Sequence, residues 1–116
     1  IAGMTSLGES TARCFALGQA VARALRDSPW RAVVIGSASW SHAFLCDKNS
    51  WIHPDRDADQ VLLSQLGASN YRPWSALTTE WIDDCGEQEF LSWICLGGAM
   101  DEVCESCHKR FWYPDK

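Results

Sequence analysis

Ala32-Val33-Val34-Ile35-Gly36-Ser37-Ala38-Ser39-Trp40-Ser41-His42 decides how this chain is read. A β-branched apolar run ends at a glycine, small residues carry a turn, and one imidazole follows. A run that is apolar on both faces predicts a strand over 32–37, in a sheet covered on both sides. Sites in α/β sheets form at the carboxyl ends of strands. His42 falls there. An imidazole with an unperturbed pKa of about 6.5 can take up and return a proton near neutral pH. Ser37, Ala38, Ser39 and Ser41 are small enough to leave room for a substrate.

Upstream, residues 9–27 read as a helix. Ser10 or Thr11 can cap its start, and Ser28-Pro29 ends it. Cys14, Leu17, Gly18, Val21 and Leu25 recur at helical spacing and predict the buried stripe. Gly18 on that stripe allows close packing against a sheet. Arg13, Arg23 and Arg26 fall off it. Downstream, residues 43–55 read as an irregular loop. A short helix over 57–66 turns Val61, Leu62 and Leu66 inward. Two further helices, over 77–84 and 88–100, break at Gly86. In the second, Phe90, Trp93, Ile94 and Gly97 lie near one face, and Glu89 shares a side with Trp93 at i and i+4. Helix, strand and helices in this order predict an α/β layer arrangement. The piece is mostly helical, with at least one core strand of a mixed sheet. One strand cannot make a sheet, so the rest of the sheet is expected in sequence outside this chain. A start at Ile1 rather than Met fits the expectation of a piece of a longer protein.

Length and charge narrow the function. With 116 residues, 47% of them apolar and 22% charged, the chain is one soluble domain or part of one. No apolar stretch approaches the roughly 18 residues of a membrane span, and no signal peptide is visible in the first ten residues. The net charge is −5. Between Pro73 and His108 there are eight acids and no Lys or Arg, a face that repels phosphate and excludes nucleic acid as a partner. The six cysteines, at 14, 46, 85, 95, 104 and 107, have spacings unlike a disulfide framework. Cys14 and Cys95 read as packed thiols. A reducing cytoplasm is the expected location. The seven tryptophans suit core packing for the most part; Trp40 is the one expected to line a pocket.

Glu89 is the second candidate residue, 47 positions after His42. A carboxylate in Gln88-Glu89-Phe90-Leu91-Ser92-Trp93-Ile94 is costly to bury unless paired or metal-bound. The alternative for Glu89 is a helix-start acid favoured by the helix dipole. For His42 it is a structural histidine at a strand end.

Taken together, Arg13-Cys14-Phe15-Ala16-Leu17-Gly18, the segment ending Ser41-His42, Glu89 four residues before Trp93, and Leu96-Gly97-Gly98-Ala99-Met100 resemble the class III extradiol ring-cleavage dioxygenases. The likeness is to the catalytic subunit of the protocatechuate 4,5-dioxygenase type, and residues 1–100 read as the C-terminal part of that catalytic domain. The family segment usually reads Gly-Gly-Leu-Ser-His. Here it is Ala38-Ser39-Trp40-Ser41-His42, so Ser-His is kept, the glycines are not, and Trp40 reshapes the pocket formed with Ser39 and Ser41. The resemblance implies a non-haem Fe(II) centre held by two histidines and one glutamate, a catecholic substrate, dioxygen, and a separate acid/base histidine. By position His42 matches the acid/base and Glu89 the iron carboxylate. The two ligand histidines of the family match nothing in this chain. His53 reads as a surface residue. The isolated 116 residues are therefore expected to be inactive. A small second subunit or a homo-oligomer is compatible with the family.

Residues 101–116 form a divergent tail. Cys104-Glu105-Ser106-Cys107-His108 has the spacing of covalent c-type haem attachment, and the stretch to Pro114 resembles small c-type cytochromes. That alternative makes Cys104, Cys107 and His108 the site, haem c the cofactor, Met4 or Met100 a sixth-ligand candidate, and the periplasm the location. A metal-free interaction module of the same fold is a further alternative.

Overall fold

In the computed structural model, residues 10–103 are described. Four α-helices organise them: α1 (Thr11–Arg26), α2 (Arg56–Gly67), α3 (Thr79–Cys85) and α4 (Phe90–Val103). Short 3-10 turns lie at Ala43–Leu45, Asp47–Asn49 and Arg72–Ala76. The region read as irregular after His42 thus contains two of these turns.

Each of the first three helices starts on a side-chain cap. Ser10 Oγ accepts from the Arg13 N–H at 3.2 Å, Asp55 Oδ1 from the Ala58 N–H at 3.2 Å, and Thr78 Oγ1 from the Trp81 N–H at 3.1 Å. These oxygens satisfy donors that the helix leaves unpaired in its first turn. Because Ser10 caps α1, the neighbouring Thr11 hydroxyl is not needed there. It donates to Leu77 O at 2.6 Å and ties α1 to the loop before α3. Gly86 ends α3 in the left-handed region, with φ of 74°, as the break between the last two helices requires.

The centre of the fold is the crossing of α1 on α4. A Cβ added to Gly18 would sit 1.7 Å from Cys95 O, and one added to Gly98 would sit 2.0 Å from Phe15 O. The two backbones therefore touch at glycine on both sides. Gly18 does permit the close packing read from the sequence, but its neighbour is a helix rather than a sheet. The buried face of α1 is Thr11, Cys14, Phe15, Gly18 and Ala22. Leu17, placed on the stripe by its hydrophobicity, is 49% exposed. The contact with α4 selects the face that carries glycine, because only that face lets the backbones meet. Arg23 and Arg26 lie off the stripe as read, and both reach Glu102 at the far end of α4, at 3.4 and 2.9 Å.

The core around this crossing consists of Cys14, Phe15, Leu62, Tyr71, Trp74, Ile82, Phe90, Leu91 and Ile94. Trp74 packs edge-on against Phe90 at 4.9 Å and Tyr71 at 5.3 Å between ring centroids. Its indole N–H donates to Gln65 Oε1 at 2.8 Å, so the one polar atom of a buried ring is satisfied. Cys14 is buried and Cys95 half-buried, both as thiols. On α2, Leu62 is buried, while Val61 turns to solvent.

The strand expected over 32–37 is not present, and the described residues are all-α rather than α/β. Val33 is 84% and Ile35 76% exposed. A β-strand is completed by the backbone of a neighbour, and no described segment lies alongside this run to pair with it. Branched side chains favour a pleated, half-buried surface but cannot supply its second strand. The run is instead anchored at one point, where the Trp93 indole N–H donates to Gly36 O at 3.0 Å. No helix among the described residues is long and apolar enough to cross a membrane.

Candidate active site

The segment after Gly36 folds back over the start of α4, and this brings the two candidate residues together. His42 Nε2 lies 3.4 Å from Glu89 Oε2. Ser39 stands between them: its Oγ is 2.8 Å from His42 Nε2 and donates to Glu89 Oε2 at 2.5 Å. A hydroxyl has one proton to give. With that proton on Glu89, Ser39 Oγ is an acceptor toward His42, which places a proton on Nε2. The side chain of Glu89 is 51% exposed and that of His42 25%, so both remain open to a small molecule. Glu89 is held below the usual carboxylate value; the Ser39 hydroxyl is the main cause, His42 adds to it, and partial burial works against it. The carboxylate is therefore anionic across the physiological range.

Three backbone features fix this arrangement. The His42 N–H donates to Gly86 O at 3.0 Å, which joins the histidine segment to the turn leading to Glu89. A Cβ on Gly86 would come 2.6 Å from His42 O, so this junction tolerates no side chain. Glu89 lies in the turn just ahead of α4, rather than on the helix as the spacing predicts. Trp40 is half-buried, with its ring 5.0 Å from Trp93 and 6.5 Å from Phe90. It packs on the core and flanks the site from beneath. Phe44 packs beside His42, with ring centroids 4.9 Å apart.

Beneath His42 lies a group of buried polar residues that the sequence reading missed. Asp55, Asp59 and Glu87 are all buried. The Ser41 N–H donates to Asp59 Oδ1 at 2.9 Å, and the Asp55 N–H donates to Ser41 Oγ at 2.8 Å. Ser41, read as a pocket residue, is thus engaged with the start of α2. Burial pushes Asp55 up, but the bonds from Lys48, Cys85 and the Ala58 N–H outweigh it and hold this carboxyl low. Lys48 forms an ion pair with Asp55. Burial, and then Asp55, pushes the Cys85 thiol up to about 12, so it stays protonated and inert. Glu87 is pushed up to about 9, first by burial, then by contact with Asp59 and the charge of Asp55. Neither carboxyl oxygen of Glu87 has a hydrogen-bond partner among the described residues, and a buried site of this kind favours the neutral acid. One sequence signal pointed here: Asp59 lies at i−3 from Leu62 and i−7 from Leu66, an acid on the inward stripe of a helix.

The family model described as "Catalytic LigB subunit of aromatic ring-opening dioxygenase" matches residues 2–114. This chain belongs to that family. No curated protein and no solved structure matches it.

Aromatic ring-opening dioxygenases of the type resembled hold iron on two histidines and a carboxylate. Among the described residues, no group of three His, Cys, Asp or Glu could hold a metal ion. Glu89 is an anionic, accessible oxygen donor of the sort Fe(II) accepts. Its nearest nitrogen donor is His42. His53 is exposed and turned to its own loop, with Nδ1 3.1 Å from Pro54 O. The described residues therefore supply one suitable ligand and not a complete iron site. Cys104, Cys107 and His108, the haem alternative, lie outside the described residues, as does Met4. Met100 is partly buried and packed against the core.

Proposed function

We propose that this chain contributes the acid/base and carboxylate side of an extradiol aromatic ring-opening dioxygenase that acts on a catecholic acid with dioxygen and Fe(II). The approach of His42 Nε2 to within 3.4 Å of Glu89 Oε2, across 47 positions of sequence, carries this reading. Two ionisable groups that share a hydroxyl at an accessible surface have the geometry of proton transfer coupled to binding. Membership in the family supplies the reaction class.

In this reading Glu89 is the iron ligand and His42 the acid/base. Bound iron would bring the two catechol oxygens and dioxygen together and lower the cost of their charge. The chain's own residues handle protons and position. His42 can take up a proton from a substrate hydroxyl, and the imidazolium so formed can return one to an oxygen that gains negative charge at the open face. Ser39 keeps Nε2 aimed at the carboxylate side. Trp40 and Ser39 shape the floor on which an aromatic ring would rest, and Trp40 replaces a residue that is usually smaller in the family, which narrows the space.

Ring opening of protocatechuate or gallate in the full-length protein, followed by the appearance of the yellow product, tests the reading. His42→Ala and Glu89→Ala should each lower turnover by at least about 100-fold, within the span of general acid–base effects. Glu89→Ala alone should weaken Fe(II) binding. Turnover retained in both variants rejects the assignment.

A further inference from the structure

The two candidate residues stand on separate segments, and something must hold those segments in register. Gly86 O does part of this through the His42 N–H. The histidine segment is also held from below by a buried acid on α2. Asp59 is 3% exposed. Its Oδ1 accepts the Ser41 N–H at 2.9 Å, one residue before His42. The Asp55 N–H closes a second bond, to Ser41 Oγ at 2.8 Å. Ser41 is therefore gripped at its main-chain N–H and at its hydroxyl by the first turn of α2.

We propose that Asp59 is a positioning residue for the His42–Glu89 site, tying the backbone beside His42 to α2. The inference rests on the reading of that site given above. A buried carboxylate is an expensive way to hold a loop, and an apolar residue at this inward position of α2 would pack as well. What the acid adds is an acceptor at a fixed place for the Ser41 N–H. Side chains that act on a reacting group must be held within a fraction of an ångström, and loops become precise only when tied to rigid elements. Here the element is α2, and Asp59 is the tie. The role needs an acceptor oxygen at Oδ1 rather than a full charge, so asparagine should serve where alanine cannot.

The test follows the imidazole nitrogens of His42 by long-range 15N–1H NMR, with His53 in the same spectrum as the internal control. In Asp59→Ala the His42 ring signals should move or broaden while those of His53 stay in place. Asp59→Asn should return them to the native position. Asp59→Leu, which fills the volume without an acceptor, carries the same test if the alanine variant does not fold. In the full-length protein, Asp59→Ala should lower kcat tenfold or more with KM changed less than twofold. A purely structural role would lower thermal stability but leave the His42 spectrum native once the variant is folded. A His42 spectrum that is native in folded Asp59→Ala or Asp59→Leu overturns the proposal. If His42→Ala leaves ring opening intact while the Asp59 variants still move the His42 signals, the functional reading fails and the positioning role stands.

Discussion

At the scale of single residues, burial sorts the acids of this chain into two kinds. Glu89 is open to solvent and kept ionised by the Ser39 hydroxyl. Glu87, two positions earlier, is fully buried and pushed up to about 9. The folded state therefore keeps a proton on Glu87 that the unfolded chain gives up above a pH of about 4.5, the ordinary value for the group. Between these limits the native state binds more protons than the unfolded one, so unfolding free energy falls as pH rises. The slope from one such group reaches at most about 1.4 kcal/mol per pH unit. Urea midpoints measured from pH 5 to 9 should decline, and Glu87→Gln should flatten the decline; an equal slope in that variant would contradict the burial argument. Asp55 works in the opposite direction, since its low carboxyl stabilises the fold above the ordinary carboxylate range and that contribution is lost on acidification. None of this was legible in the sequence, where Asp55, Asp59 and Glu87 look like polar residues of loops and helix starts. The inward spacing of Asp59 with Leu62 was the one signal available, and the sequence reading did not use it.

At the scale of elements, helices were readable and their buried faces less so. Caps at Ser10, Asp55 and Thr78 and the stop at Gly86 are local signals, and each of the four helices lies close to where periodicity put it. The face of α1 is decided by its partner. Leu17 lost its place on the stripe to Phe15 and Ala22 because Gly18 must meet the backbone of α4. Gly18→Ala tests this directly. The added methyl would overlap the Cys95 carbonyl, a backbone atom that cannot swing aside. The helices would have to separate along their length, and destabilisation should be at the upper end of overpacking effects, about 3 kcal/mol or more. Chemical denaturation measures it, with Gly67→Ala as the control, since nothing lies within 4 Å of a Cβ there. Equal stability of the two variants would contradict the close crossing.

At the scale of the whole molecule, the strand was the reading that failed. The run Ala32 to Ser37 has the composition of a core strand, but a sheet is a property of several segments, and sequence pattern speaks for one at a time. Its apolar side chains, Val33 and Ile35 among them, face solvent. The approach of His42 to Glu89 does not need the strand that the sequence reading placed before it: the turn after Gly36 is held by the Trp93 indole and the Gly86 carbonyl. The meeting of His42 with Glu89 is a tertiary event that no local pattern encodes; it was legible only through family resemblance. The bridging role of Ser39 was not legible at all, since a small residue near a site reads as space before it reads as a bond. The most direct measurement is a pH titration of the Glu89 side-chain carboxylate by 13C NMR, in the native chain and in Ser39→Ala. The account predicts a midpoint below the ordinary carboxylate range that rises when the hydroxyl is removed, with the His42 ring signals responding in the same pH step. An ordinary midpoint, unmoved in Ser39→Ala and unfelt by His42, would show that the two groups do not share a site.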